Sequence, residues 1–384
     1  MPETFGMEES REWLVRYRRQ ITLEGFGIDA QRALNNSHVV VIGAGGLGAP
    51  ALLYLAAAGI GRITVIDDDL VELSNLHRQV IHREDSIGQS KAESAATEMR
   101  ARNSSVIVRA VRARLDHSNA KKLLEDADLV LDGSDNFATR YAVSHACAAR
   151  QVPHVWGSIL GFDAQLSVFW AGHGPIYDDV FPEAPPEGSV PSCAEAGVIG
   201  PLVGIIGTAM ALETVKILSG VGEPLTGTVA YFSGGTGRWE YIPIAGDPEV
   251  ARRVAKSELP ASDTSEQRTP STSQNSHASA VAAHQENTPD IPAGLLIDVR
   301  EPSEFQTFHI PGAQNIPLSR LRAGVEKEIE EQLRKEQQQG TEITIYCAAG
   351  VRSAEAVQMF RKAGIDGLND YPGGINAWLD QQNR

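Results

Sequence analysis

Apolar runs of strand length alternate with helical stretches along the first part of the chain. His38–Ile42 (HVVVI) reads as a strand. A glycine-rich turn and a helical stretch to Ala58 follow, and then a second strand, Arg62–Ile66 (RITVI). Lys91–Arg102 reads as helix, Val106–Val111 as strand, Lys121–Glu125 as part of a helix, Leu129–Leu131 as strand, Ala138–Arg150 as helix and His154–Trp156 as strand. Such alternation predicts a doubly wound, mostly parallel α/β sheet, because parallel neighbours need a crossover between them. Gln165–Trp170 then alternates in the manner of an open strand, and Thr228–Phe232 with Arg238–Ile242 forms a hairpin pattern, so the sheet is expected to be mixed at that edge. The most apolar region, Val198–Leu218, is interrupted by Gly200, Pro201, Gly204 and Gly207 and carries Glu213 and Lys216, which predicts a buried helix rather than a membrane span.

A second, smaller α/β pattern closes the chain: a strand at Leu295–Arg300, another at Glu342–Tyr346 and a helix from Ala354. Between the two patterns, Ser257–Asp290 is rich in Ser, Thr, Gln, Asn and Pro, with almost no large apolar residues. Such a stretch cannot bury enough surface to offset its ordering entropy and is expected to be a mobile linker. The expected organisation of the 384 residues is therefore a domain over 10–245, a flexible linker over 246–290 and a small domain over 291–384.

Charge and cysteine content narrow the function. The formal net charge of −15 argues against nucleic acid or an anionic membrane as partner, since both need a basic footprint. The N-terminus, MPETFGMEESREWL, lacks the basic head and apolar core of a secretory signal, so a cytoplasmic location is expected. Three cysteines, Cys147, Cys193 and Cys347, are too few for a disulfide framework, which fits a reducing compartment, and too few for a four-thiolate zinc site.

Gly43-Ala44-Gly45-Gly46-Leu47-Gly48 lies between strand and helix, where small residues let backbone N–H groups approach an anion at a helix N-terminus. Asp67 ends the next strand, in the position of a ribose contact. Arg78 and Lys91 follow closely, as a triphosphate would require and a dinucleotide would not. Asp135, in Asp132-Gly133-Ser134-Asp135-Asn136, falls at the C-terminal end of a strand, where its carboxylate could hold Mg²⁺.

These segments, with Arg16-Tyr17-Arg18-Arg19-Gln20, Ser74-Asn75-Leu76-His77-Arg78-Gln79, Gly88-Gln89-Ser90-Lys91 and Cys193-Ala194-Glu195-Ala196-Gly197-Val198, resemble the MoeB/ThiF family of adenylating enzymes over about residues 10–245. The resemblance implies ATP-dependent adenylation of the C-terminal glycine of a ubiquitin-fold sulfur carrier (MoaD/ThiS-like, ending in Gly-Gly). It places Gly43, Gly45 and Gly46 at the phosphates and Asp67 at the ribose. It assigns the stretch Ser74, Asn75, Leu76, His77 and Arg78 to nucleotide binding, with Asn75, Arg78 and Lys91 on the phosphates. It puts Mg²⁺ on Asp135, with Asn136 beside it, and extends Arg19 into the site of a second subunit of a homodimer. It also gives Cys193 thioester or disulfide chemistry with the carrier. One departure stands out. Family members commonly hold a structural zinc with two Cys-x-x-Cys pairs, but Ile176 and Asp179 occupy the first pair's positions here, and no cysteine lies near Asp247–Arg253. No zinc is expected, and packing has to hold that region.

In the small domain a strand delivers Cys347 into Cys347-Ala348-Ala349-Gly350-Val351-Arg352-Ser353 and a helix, and Ala293–Trp378 resembles a rhodanese domain. Loop N–H groups, the helix dipole and Arg352 all favour an anionic sulfur, whether thiolate or persulfide. Cys147, inside a helical run, reads as packing. Together the halves imply an adenylyltransferase and sulfurtransferase that receives sulfur from a cysteine desulfurase or thiosulfate. Two rivals are a scaffold that binds a ubiquitin-like protein without ATP turnover, and a nicotinamide-dependent dehydrogenase with a sulfur domain. Arg78 and Lys91 disfavour the second.

Overall fold

The computed structural model describes residues 10–185, 197–256 and 294–378, apart from 323, 349 and 376. Cys193 and the stretch read as a linker, 257–290, lie outside the described residues. The chain forms two compact units.

The first unit is built on an eight-stranded mixed sheet in the order β3-β2-β1-β4-β5-β6-β7-β8. The strands are β1 (His38–Ile42), β2 (Arg62–Ile66), β3 (Ile107–Val111), β4 (Leu129–Asp132), β5 (His154–Leu160), β6 (Asp163–Phe169), β7 (Thr228–Ser233) and β8 (Arg238–Pro243). β1 to β5 pair in parallel, while the β5–β6, β6–β7 and β7–β8 pairs are antiparallel. β1 and β4 are buried along their whole length, which explains their unbroken apolar sequences: both faces of a central parallel strand meet the core. The helix Gly200–Ser219 is long and apolar enough to cross a membrane. It lies instead against β5, β6 and the helix Gly48–Ala58, burying Leu202, Val203, Ile206 and Met210.

One feature departs from the sequence expectations. The segment expected to open a flexible linker at 246 forms the helix Pro248–Lys256. Val250, Ala251 and Val254 share one face of it and pack on Ala148, Ala171 and Ile176, so this stretch belongs to the first unit. The positions where zinc cysteines would stand form a clasp. Ile176 is buried in that same cluster. Asp179 accepts hydrogen bonds from the backbone N–H of Ile176 at 2.8 Å and of Asp247 at 3.1 Å, joining the two segments that a metal would bridge.

The second unit holds a four-stranded parallel sheet in the order β10-β9-β11-β12, formed by β9 (Leu295–Asp298), β10 (Gln314–Asn315), β11 (Ile343–Tyr346) and β12 (Leu368–Asp370). Its core joins Ile297, Val299, Ile343 and Ile345 to Leu321, Leu333 and Phe360 from the flanking helices.

Candidate active sites

The first site lies at the C-terminal ends of β1, β2 and β4. Because β1 sits between β2 and β4, the crossovers leave it in opposite directions and open a crevice there. Gly43 follows β1 with φ +86°, a conformation that only glycine adopts readily, and a Cβ on it would stand 3.4 Å from the carbonyl oxygen of Gly133, just after β4. A cavity of about 330 Å³ occupies the crevice. Among the residues expected at the nucleotide, Gly43, Gly45, Gly46, Asp67, Arg78, Lys91, Asp135 and Asn136 line it.

The loop is clamped at Ala44. Its N–H donates to Asp67 Oδ2 at 2.8 Å, and its carbonyl accepts from His82 Nε2 at 3.0 Å. Since a carbonyl can only accept, Nε2 carries the proton, and Nδ1 accepts from Ser94 Oγ at 2.9 Å. Asp67 Oδ1 also takes the N–H of Asp69 at 2.9 Å. Burial raises the Asp67 pKa above its ordinary value, against the pull of these two N–H groups and of Lys91. Burial likewise lowers the His82 pKa, and the Lys91 charge works in the same direction. Lys91 is buried at 6% exposure, and its Nζ meets Asp69 Oδ2 at 2.8 Å, so it is no ordinary surface lysine.

Behind Asp135, the buried Asp132 accepts the Ser134 N–H at 2.9 Å and meets His154 Nε2 at 3.3 Å. Burial works against that carboxylate, but the hydrogen bonds from His154 and Ser134 prevail and leave its pKa lowered. Asn136 caps the helix Phe137–Arg150 through its Oδ1, which accepts the Thr139 N–H at 2.9 Å.

Five expected site residues stand off the cavity wall: Ser74, Asn75, Leu76, His77 and Arg19. The first group forms a turn whose polar atoms are spent internally. Asn75 Oδ1 accepts the Glu72 N–H at 3.1 Å and Ser74 Oγ donates to Glu72 Oε2 at 3.1 Å. The turn thereby aims Arg78, whose Nη1 donates to the Ser74 carbonyl at 2.8 Å and to His77 Nε2 at 2.9 Å. Arg19 is exposed on the last turn of the helix Arg11–Ile21.

The cavity also holds residues that sequence reasoning did not single out. Gln79 Oε1 and Ser134 Oγ are buried on its wall and have no hydrogen-bond partner among the described residues, which marks the cavity as built for a polar ligand. Arg140 donates to the Ser134 carbonyl at 3.2 Å and to Ser158 Oγ at 3.2 Å. Its place one helical turn after Asn136 was the available signal. Asp67, Asp68 and Asp69 each bring a carboxylate oxygen within 4.8 Å of the others.

The second site is the loop after β11. Cys347 is buried, and its Sγ accepts from the Gly350 N–H at 3.1 Å and from Ser353 Oγ at 3.5 Å. Gly350 caps the helix Val351–Lys362, so the sulfur faces a helix N-terminus. The loop is backed by Gly374, where a Cβ would stand 2.2 Å from the Cys347 carbonyl oxygen. Arg352 does not stand as an uncompensated cation: Nη1 and Nη2 donate to Glu304 Oε2 and Oε1 at 2.8 and 2.9 Å. Cys147 is buried in the first unit's core, and burial pushes its thiol pKa far up, consistent with a packing role.

A crevice of this kind, with phosphate-sized glycine turns, cations and acids, in a chain whose second unit cradles a cysteine sulfur, defines a nucleotide-using enzyme with a sulfur-transfer module. Residues 17–251 match the ThiF family and residues 277–381 the rhodanese-like domain. The chain is 42% identical over 385 residues to "Probable adenylyltransferase/sulfurtransferase MoeZ" of Mycobacterium tuberculosis, covering 97% of this chain and 94% of that one. It is 36% identical to "Adenylyltransferase and sulfurtransferase MOCS3-1" of Zea mays, covering 96% and 81%. Crystal structures of E. coli MccB with MccA-N7isoASN (TM-score 0.56, 24% identity, 61% of this chain and 72% of that one) and of PaaA (TM-score 0.54, 24% identity, 64% and 78%) share the fold of the first unit. The chain belongs to the ThiF family, with a rhodanese-like domain following in the same polypeptide. It is an enzyme with adenylyltransferase and sulfurtransferase activities, and the family implies use of ATP.

Proposed function

We propose that the first unit adenylates the C-terminal glycine carboxylate of a ubiquitin-fold sulfur carrier and that the second unit supplies the sulfur for its thiocarboxylate. The observation that carries this reading is the single cavity lined by Gly45, Gly46, Arg78, Lys91 and Asp135. The glycine turn admits the phosphates against backbone N–H groups, and Arg78 and Lys91 take up their charge. A carrier carboxylate oxygen attacks the α-phosphorus, and pyrophosphate leaves with the bonding pair. Asp135, on the cavity wall, offers a hard oxygen donor of the kind Mg²⁺ prefers. That ion would supply charge neutralisation at the phosphates. Asp67 keeps the ribose role, although two of its acceptor sites are already taken by backbone N–H groups.

Cys347 then bears the persulfide. Its terminal sulfur attacks the acyl carbon and AMP leaves. A thiolate attacks the Cys347 sulfur of the acyl disulfide and releases the thiocarboxylate. Cys193 is assigned that role by resemblance, and an external thiol reductant restores the resulting disulfide. The chain acts as a cytoplasmic homodimer in which Arg19 reaches the partner's site. The carrier, and a pathway among molybdenum cofactor, thiamine, cysteine and tRNA thiolation, follow from whichever Gly-Gly protein is turned over.

ATP–pyrophosphate exchange with a Gly-Gly-ending carrier tests the reading. Exchange should vanish in Asp135→Ala and survive in Cys347→Ala, which should make no thiocarboxylate. Exchange that persists in Asp135→Ala overturns the assignment.

A further inference from the structure

Arg352 stands in the first turn of the helix that follows the Cys347 loop, and it is held by a partner from elsewhere in the fold. Glu304, on the helix Pro302–Thr307, receives both terminal nitrogens of the guanidinium at 2.8 and 2.9 Å. Glu304 is itself fixed, because its Oε2 accepts the Glu301 N–H at 2.9 Å. Its carboxyl stays below the usual range: burial works the other way, but the Arg352 and Glu301 hydrogen bonds prevail. The side chains of Arg352 and Glu304 are 19% and 23% exposed, so the pair is shielded though not sealed. A fork-to-fork pair of this geometry is strong and directional.

The pair discriminates between two kinds of sulfur donor. Thiosulfate brings a dianionic head that needs a guanidinium. To use Arg352 it has to displace Glu304 or sit beside its carboxylate, and like charges at that range repel. A persulfide carried on a thiol has no oxyanion head and needs only its outer sulfur at Cys347.

We propose that Glu304 is a positioning residue that sets the donor class: the Cys347 loop takes sulfur from a thiol-borne persulfide and discriminates against thiosulfate. The inference rests on the reading of Cys347 as sulfur bearer. In the favoured transfer the Cys347 thiolate attacks the outer sulfur of R–S–SH, the S–S bond breaks, and RS⁻ leaves with the bonding pair while the proton stays on the transferred sulfur. With thiosulfate the same attack falls on the sulfane sulfur and expels sulfite.

The test uses the full chain and two probes, thiosulfate and glutathione persulfide, with sulfur addition at Cys347 followed by intact mass and peptide mapping. Glu304→Gln keeps an acceptor for the Glu301 N–H and removes the charge. It should lower the KM for thiosulfate by about tenfold or more while changing kcat and the persulfide rate by less than about threefold. Glu304→Asp, which keeps the charge, should leave the thiosulfate KM high. An unchanged or raised thiosulfate KM in Glu304→Gln, equal gains for both donors, or a Glu304→Asp variant that behaves like Glu304→Gln overturns this inference alone. Failure of both donors to load Cys347 in the unaltered chain overturns the role of Cys347, and this inference with it.

Discussion

His82 donates from Nε2 to the carbonyl oxygen of Ala44 at 3.0 Å, gripping the glycine loop from the side opposite Asp67. The loop's shape therefore depends on two side chains from outside it. Burial favours the neutral ring, and with its proton on Nε2 for the Ala44 carbonyl, Nδ1 accepts from Ser94 Oγ.

This arrangement sets a pH dependence. The folded-state pKa of His82 lies below its ordinary 6.5, because burial disfavours the charged ring. His38 is lowered for the same reason, with Nδ1 at 2.8 Å from the Asp126 carbonyl and Nε2 at 2.9 Å from Thr64 Oγ1. On acidification the unfolded chain takes up these protons first. The contribution of these two rings to stability is thus present above about pH 6.5 and is lost as pH falls from there toward the folded-state values. Denaturant titrations across that range should show the decline, and His82→Gln should reduce the slope by up to about one proton. An unchanged slope in the variant would count against the assignment.

Asp179 should carry the stability that a metal supplies elsewhere. Asp179→Ala removes the acceptor of the Ile176 and Asp247 N–H groups and should cost about 0.5–1.5 kcal/mol, since the Asp247 N–H can turn to water. Chelation should leave the melting temperature of the unaltered chain where it was. A chelator-induced drop in melting temperature would point to a metal outside this clasp.

Gly374 has φ +59°, and a Cβ there would run into the Cys347 carbonyl. Gly374→Ala should displace the sulfur-bearing loop and lower sulfur transfer by about tenfold or more, since small misplacements of reacting groups are costly. ATP–pyrophosphate exchange should be untouched. A parallel loss of exchange would show that the damage is not local.

The parallel half of the sheet was the most legible part of the sequence. β1 and β2 fall on the predicted residues, because the apolar run of β1 stops at Gly43 and that of β2 starts after Gly61 and stops at Asp67. β5 runs on to Leu160, beyond the expected Trp156, because its antiparallel pairing with β6 extends as far as Leu160↔Asp163, and one strand's sequence does not reveal that partner. The helix Pro248–Lys256 was hidden by its charges: Glu249, Arg252, Arg253 and Lys256 mask a short stripe of Val250, Ala251 and Val254. At the site, glycines, acids and cations could be located by motif. The hydrogen bonds each residue makes could not: Ser74, Asn75 and His77, expected at the nucleotide, commit polar atoms to the turn behind Arg78, and no motif shows that bonding. The Glu304–Arg352 pair spans 48 residues and left no local trace.

The Ile176–Asp179 clasp has a chemical consequence beyond stability. A zinc centre built on thiolates would place four soft nucleophiles in the chain that carries activated sulfur, and each could intercept a persulfide or be stripped of its metal by one. A clasp made of one carboxylate and an apolar cluster is inert to sulfur electrophiles. With Cys147 buried and its thiol held protonated, the described part of the chain presents Cys347 as its single reactive sulfur. Among the described residues, a persulfide therefore meets one thiol placed to exchange with it, and the clasp offers it none.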